Sequence, residues 1–250
     1  MGTNVDAYLE RIGLNERPSI DLAGLETLQR AHLSAVPFEN LDVYARRGVH
    51  TDLEWSVAKV VERGRGGWCF ELNGAFSDLL TRLGFRVHRL LATVLLPPPS
   101  NVPSHLTIEV VLDQSYLVDV GFGDSFIKPL ILDVGDVQDG GSGNYALESH
   151  DGIFTLCEVA PDGLRHPQYR FDRTPRVMED YNEHSERLQT DLSLMWTKTP
   201  FATRLLSGGP DRVTLLEDTL KFRTNGVWTE QPVSKLDWDT ELDRWFSMKA

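Results

Sequence analysis

The chain has 250 residues, which suit one large domain or two to three small ones. Its net charge of −12 argues against partners such as nucleic acid and anionic membranes, because both require clustered basic side chains. No apolar run approaches the ~20 residues of a membrane helix, and the N-terminus lacks a signal-peptide pattern. With two cysteines and no zinc-binding motif, the chain is expected to be cytoplasmic and to hold no metal.

The first third of the chain has helical periodicity. Asp21 is placed to cap a helix with leucines on one face. Thr51 and Glu54 form a capping-box pattern before a second apolar stripe. The segment that follows predicts a further helix, which begins near Cys69 and ends at Gly84, a typical C-terminal cap.

From residue 85 the pattern changes to short segments rich in β-branched and aliphatic residues, bounded by turn signals. The clearest of these predicted strands are residues 87–96, 106–112 and 116–122. Near the C-terminus, Asn225-Gly226 predicts a hairpin turn, and a final amphipathic helix carries Trp238 and Phe246. Helices first and strands afterwards favour an α+β protein with consecutive subdomains.

Cys69 is the candidate nucleophile. A segment with three glycines and two arginines, residues 63–67, precedes it, and the predicted helix follows. Glycine allows close approach of a ligand, and a helix N-terminus presents free N–H groups and partial positive charge. These features stabilise a thiolate and can form an oxyanion hole. The alternative is that Cys69 is a buried apolar residue, the interpretation also favoured for Cys157 in its strand-like run.

A nucleophilic thiol requires a base, and the base requires an orienting group. His105 begins a predicted strand, and Asp119 lies in the next one between two valines. A carboxylate in such apolar surroundings needs a partner, unless it is solvated on a one-sided sheet. These residues are therefore the candidates for base and orienter.

The turn between the two strands decides whether these side chains can meet. A two-residue turn would place His105 and Asp119 on opposite faces of the sheet, because side chains alternate. A three-residue turn at 112–114 places Thr107 opposite Asp119 and brings His105 to the same face, within side-chain reach. A catalytic triad therefore predicts an odd-length turn or a bulge between residues 110 and 117.

Four motifs together resemble the arylamine N-acetyltransferase family: PFENL (37–41), RGGWCFELN (65–73), PSHLTIEV (103–110) and YLVDVGFG (116–123). The resemblance covers nearly the whole chain. It implies a cysteine-protease-like core with a helical bundle (1–84) carrying the nucleophile, a β-barrel (85–185) carrying His and Asp, and an α/β lid (186–250).

The resemblance also implies roles for individual residues. Cys69 would be the acyl-enzyme nucleophile, His105 its base and Asp119 the orienting group. The implied acceptor-pocket residues are Phe38, Phe70, Phe122 and Ser104, although the phenylalanines could equally belong to the core. The implied coenzyme A contacts are Asn101, Val102, Gly123 and Thr199. Trp68 replaces the family's usual Tyr, and the residues after Pro200 lack its Ser-x-Phe pattern, which affects cofactor contacts and acceptor choice rather than the triad.

The function implied by the resemblance is two-step acetyl transfer from acetyl-CoA to an arylamine or hydrazine. Three alternatives remain open at this point. The same scaffold could release a polyketide or other acyl chain from a carrier as an amide synthase. A triad of this kind could also act as a cysteine hydrolase. Finally, the three residues could be structural parts of a non-catalytic binding module.

Overall fold

The computed structural model describes residues 4–97 and 101–249 and has the predicted α+β architecture. An N-terminal group of helices packs against an eight-stranded antiparallel sheet, and a five-stranded antiparallel sheet follows. None of the helices in the described ranges has the length and apolar composition needed to cross a bilayer.

The N-terminal helices are short apart from two, α2 and α5. They are α1 (Val5–Arg11), α2 (Leu22–Ala35), α3 (Leu41–Tyr44), α4 (Leu53–Val57), continued by a π-helical turn over 58–62, and α5 (Cys69–Leu83). Every residue of α5 from Cys69 to Leu80 is buried, so this helix lies at the centre of the main core. A helix surrounded in this way gains ~1.5–3 kcal/mol for each large apolar side chain that it buries.

The ends of these helices test the predicted caps. Asp21 accepts a hydrogen bond from the Gly24 N–H (2.9 Å), as expected for the N-cap of α2. Gly84 ends α5 with a φ of +105°, in the left-handed region that favours glycine. The capping box predicted at Thr51 is wrong: Asp52 caps α4 by accepting from Trp55 N–H (2.8 Å). The Thr51 hydroxyl is instead engaged by Asn182 from a distant helix.

The larger sheet curls into a nearly closed barrel. Its strands are β2 (Arg86–Val94), β3 (His105–Val111), β4 (Ser115–Val118), β5 (Leu130–Ile131), β6 (Gln138–Asp139), β7 (Asn144–His150), β8 (Ile153–Val159) and β9 (Arg165–Asp172), in the order β5-β4-β3-β2-β9-β8-β7-β6. The two edge strands, β5 and β6, lie close to each other. Next to them, the Ile127 and Lys128 N–H groups both donate to the Gly140 carbonyl (2.7 and 3.1 Å). Closure of this kind protects sheet edges from unwanted pairing.

The smaller sheet joins the two ends of the chain. Its order is β1 (Phe38–Glu39), β10 (Ala202–Leu205), β11 (Arg212–Leu215), β12 (Thr219–Thr224) and β13 (Val227–Pro232), with α7 (Trp238–Phe246) packed on one face. The hairpin turn predicted at Asn225-Gly226 is confirmed, with both residues at positive φ. Helix α6 (Asn182–Thr190) connects the barrel to this sheet. The domain boundaries at 84 and 185 stay a prediction, and the second lies inside α6.

Candidate active site

Cys69 is the first residue of α5, and Trp68 occupies the N-cap position. The Glu71 carboxylate accepts from the Trp68 N–H (3.2 Å), which closes the first turn of the helix. Gly66 serves packing, since a Cβ there would lie 2.2 Å from the Pro37 carbonyl oxygen and 2.8 Å from the Glu39 side chain. It therefore allows the loop to approach strand β1. A ligand contact by the glycines before the helix stays a prediction.

A buried ion cluster, which sequence reasoning missed, holds this loop in place. Lys59 Nζ lies 2.8 Å from Asp42 Oδ2 and 2.9 Å from Glu71 Oε1, and Arg65 Nη2 lies 3.0 Å from Glu39 Oε1. Burial lowers the pKa of Lys59, but the neighbouring carboxylates outweigh this and raise it. The cluster thus anchors both the residue before Cys69 and the first turn of α5. Its sequence signal was weak: isolated charged residues within apolar stretches.

The β3–β4 hairpin brings His105 and Asp119 to the same face. Val111 pairs with Ser115 and Ile108 with Val118, so residues 112–114 form the turn. The predicted odd-length turn is therefore confirmed. His105 Nε2 donates to Asp119 Oδ2 at 2.6 Å, and the two residues are only 2% and 3% exposed.

Neighbouring charges shift the pKa of His105. Burial lowers its pKa, but the charge of Asp119 and hydrogen bonds with Asp119 and Cys69 outweigh burial and raise the pKa to about 10. Conversely, burial raises the pKa of Asp119, but the charge of His105 and hydrogen bonds from His105, Asn73 and Gly121 lower it overall. The imidazole is therefore a stable cation at neutral pH, facing the thiol on one side and a carboxylate on the other. Cys69 Sγ also lies 3.8 Å from the Ser104 carbonyl oxygen.

Two further buried side chains hold the Asp119 carboxylate. The Tyr169 hydroxyl donates to Asp119 Oδ2 (3.1 Å), and Asn73 Nδ2 donates to Asp119 Oδ1 (2.8 Å). The sequence did carry a signal for Asn73, because it lies four residues after Cys69 on the same face of a helix. Tyr169 had no local signal, since it comes from strand β9, 50 residues beyond Asp119.

Two of the predicted acceptor-pocket phenylalanines, Phe38 and Phe122, are half-buried. The Phe122 ring contacts the His105 ring edge-on, with centroids 5.3 Å apart. Phe38 lies against Phe201, also at 5.3 Å. Phe70 is completely buried and packs between other aromatic rings, so its position is that of a core residue. A substrate contact for Phe70 stays a prediction.

The remaining predicted binding residues lie on separate segments of the chain. The Ser104 N–H donates to the Ala92 carbonyl (2.9 Å), which fixes the residue before His105. Asn101 and Val102 are exposed on the same loop, beside residues 98–100, which lie outside the described part of the chain. Gly123 has a φ of +95°, and a Cβ there would lie 3.1 Å from the Phe38 ring.

Thr199, the last predicted coenzyme A contact, has its carbonyl oxygen bound by Asn40 Nδ2 (2.8 Å). The roles of these residues in binding coenzyme A stay predictions. Within residues 4–97 and 101–249, no group of three or more His, Cys, Asp or Glu side chains is arranged to hold a metal ion.

Comparison with known proteins agrees with this geometry. A sequence model of the N-acetyltransferase family matches residues 21–249. An arylamine N-acetyltransferase of Mycolicibacterium smegmatis is 39% identical over 190 residues, which are 72% of this chain and 68% of that protein. The arylamine N-acetyltransferase from Salmonella typhimurium superimposes with a TM-score of 0.92 at 27% identity, covering 99% of this chain and 92% of the other.

A Mycobacterium marinum arylamine N-acetyltransferase, solved in complex with CoA, superimposes with a TM-score of 0.89 at 27% identity. The match covers 98% of this chain and 92% of that one. The resemblance seen in the four sequence motifs is thus confirmed over almost the entire length of the chain, and so is the predicted fold class. The chain belongs to the arylamine N-acetyltransferase family.

Proposed function

We propose that this protein transfers the acetyl group of acetyl-CoA to an arylamine or hydrazine through a thioester on Cys69. The observation that carries the proposal is the buried arrangement of Cys69, His105 and Asp119 at the start of α5. The CoA complex of the M. marinum relative supports coenzyme A as the donor's carrier.

In the first half-reaction, the Cys69 thiolate attacks the carbonyl carbon of the acetyl thioester. The bond between that carbon and the coenzyme A sulfur then breaks, and the leaving thiolate takes the proton of the His105 imidazolium. Backbone N–H groups in the first turn of a helix have no intrahelical acceptor, so those of α5 are suited to stabilise the oxyanion that forms transiently. The products of this step are acetyl-Cys69, free coenzyme A and neutral His105.

In the second half-reaction, the amine attacks the carbonyl carbon of the acetyl group on Cys69. Neutral His105 accepts the amine proton, the carbon–sulfur bond breaks, and the acetylated amine leaves. This restores the imidazolium and the thiolate. Asp119 keeps its charge throughout, stabilising the imidazolium and holding its ring in place.

The aromatic surroundings suit a planar acceptor. Phe122 contacts the His105 ring, and Phe38 packs against Phe201 and adjoins Gly123, the residue after Phe122. Offset or edge-on contact with such rings contributes ~0.5–1.5 kcal/mol per aromatic pair beyond area burial. Phe38 is the second residue of the PFENL motif and pairs across the sheet with Thr203. Acceptor recognition is therefore expected to favour aryl over alkyl amines.

Coenzyme A release provides the test. The wild type should consume acetyl-CoA rapidly only when an arylamine such as aniline is added, and Cys69→Ala should abolish this turnover. Cys157→Ala is the matched control, since Cys157 is buried in β8 and should be dispensable. Rapid turnover with water alone would support the hydrolase alternative. Turnover that persists in Cys69→Ala would contradict the proposal.

A further inference from the structure

Asn73 occupies an unusual position in the fold. It is the fifth residue of α5, one turn beyond Cys69 and on the same face of the helix. It is completely buried. Its Nδ2 donates to the Leu106 carbonyl (2.6 Å) and to Asp119 Oδ1 (2.8 Å), and its Oδ1 accepts from the Val120 N–H (2.9 Å). Both donor hydrogens of the amide are thus used.

These three bonds connect the three segments that carry the proposed triad. Leu106 directly follows His105 in β3, and Val120 directly follows Asp119 after β4. The helix of the nucleophile is therefore joined by one side chain to the strand of the base and to the loop of the orienting carboxylate.

Gly121 makes the same junction tight. A Cβ at this position would lie 2.8 Å from Cys69 Cα and 2.9 Å from Asn73 Nδ2, so no side chain fits between loop and helix. The Gly121 N–H donates to Asp119 Oδ1 at 2.9 Å, beside the bond from Asn73. One carboxylate oxygen is thus held by two donors, which leaves the other oxygen directed at His105.

We propose that Asn73 is a positioning residue that sets the relative placement of Cys69, His105 and Asp119. It acts through these residues and does not touch substrate. This inference rests on the function proposed above. An amide is suited to the position because it offers two donors and one acceptor in a single plane, whereas a carboxylate of the same shape offers acceptors alone.

A purely structural role would also make Asn73 important for stability, so the test must read the triad itself. In Asn73→Asp, oxygen replaces the nitrogen that faces the Leu106 carbonyl and Asp119. Two carboxylates at hydrogen-bond distance take up a shared proton, because they cannot both stay ionised. Asp119 also contacts two titratable side chains among the described residues, His105 and Tyr169. A proton shared with Asp119 therefore weakens the charge that supports the His105 imidazolium.

The experiment compares the pH dependence of Cys69 alkylation by iodoacetamide in wild type, Asn73→Asp and Asn73→Ser. We expect the rate at pH 6 to fall at least ten-fold in Asn73→Asp, and the alkylation curve to shift to higher pH. The kcat for acetyl transfer should fall with it, while KM for the arylamine changes little. Asn73→Ser keeps one donor, so its alkylation rate and kcat should lie between those of wild type and Asn73→Asp. This variant also tests the proposal if the aspartate variant does not fold.

Ser77→Ala is the matched control. Ser77 is a fully buried polar residue on the same helix, but it bonds the Gly74 carbonyl and Arg89 rather than the triad. Its loss should lower the unfolding midpoint without moving the alkylation curve. A folded Asn73→Asp or Asn73→Ser protein with the wild-type alkylation curve and kcat would overturn the inference. Failure of wild-type Cys69 to take up acetyl would instead contradict the proposed function.

Discussion

Replacing Asp119 with asparagine isolates the role of its charge. The change preserves the shape of the side chain but removes the negative charge that faces His105 Nε2 at 2.6 Å. It also offers the imidazole an amide that can favour the wrong tautomer. The imidazolium would then face a neutral group in a site from which water is excluded.

The size of the effect follows from the pKa of His105, which is raised from 6.5 to about 10 mainly by Asp119 working against burial. At 1.36 kcal/mol per pKa unit, this corresponds to ~5 kcal/mol of stabilisation of the cation. Without the carboxylate, burial dominates and His105 is neutral at pH 7. Because a tenfold change in rate corresponds to 1.36 kcal/mol, a loss of roughly 10³–10⁴ in acetyl transfer is expected. The same change in a serine protease triad lowers kcat roughly 10⁴-fold.

Coenzyme A release in the presence of an arylamine measures this loss, and alkylation of Cys69 at pH 6 should fall in parallel. Asp113→Asn is a matched control, since Asp113 is an exposed residue in the turn of the same hairpin. Far-ultraviolet circular dichroism on the same samples must show that both variants are folded. An Asp119→Asn protein that is folded and transfers acetyl at a near-normal rate would refute this reasoning and remove Asp119 from the triad.

Three other predictions concern buried polar groups, two at the site and one in the helical core. Tyr169→Phe removes a hydrogen bond to Asp119 Oδ2, so acetyl transfer should fall about ten-fold, the 1.4 kcal/mol equivalent of one such bond, and an unchanged kcat would contradict this role. Lys59→Met leaves the carboxylates of its buried cluster without their main partner and should cost about 3–5 kcal/mol in urea unfolding, against little change for the exposed Lys235→Met. Burial lowers the pKa of His32 to about 3, so its contribution to stability is present above pH ~6.5 and is lost as the pH falls towards 3, by up to ~1.4 kcal/mol per pH unit. Urea unfolding at pH 4.5 and 6.5 should show that the unfolding free energy changes less with pH in His32→Gln than in wild type. An equal change in both proteins would contradict this role of His32.

Local rules were sufficient for the helix that carries Cys69 and for the hairpin that carries His105 and Asp119. The start of α5 at Cys69 and its end at Gly84 follow from apolar spacing and from the left-handed conformation that glycine adopts. The relation between His105 and Asp119 follows from strand alternation and the length of one turn. Both could be predicted because they involve one helix and one hairpin.

Interactions between distant segments could not be predicted in this way. Thr51 matched a capping box, but its hydroxyl is bound by Asn182, and Asp52 caps α4 instead. The two-residue strand β1 is too short to show any alternation, yet it links the N-terminal helices to the C-terminal sheet. The contact of Tyr169 with Asp119 depends on how the barrel closes, which is set by the packing of all eight strands.

The measurement that tests the central claim most directly is the intact mass of the protein after incubation with acetyl-CoA and no acceptor. We predict one acetyl adduct, located on Cys69 by peptide mapping, absent from Cys157, and discharged when an arylamine is added. His105→Ala should slow its formation, and Cys69→Ala should prevent it. A wild-type protein that acquires no adduct, or an adduct that persists in Cys69→Ala, would contradict a mechanism through a Cys69 thioester.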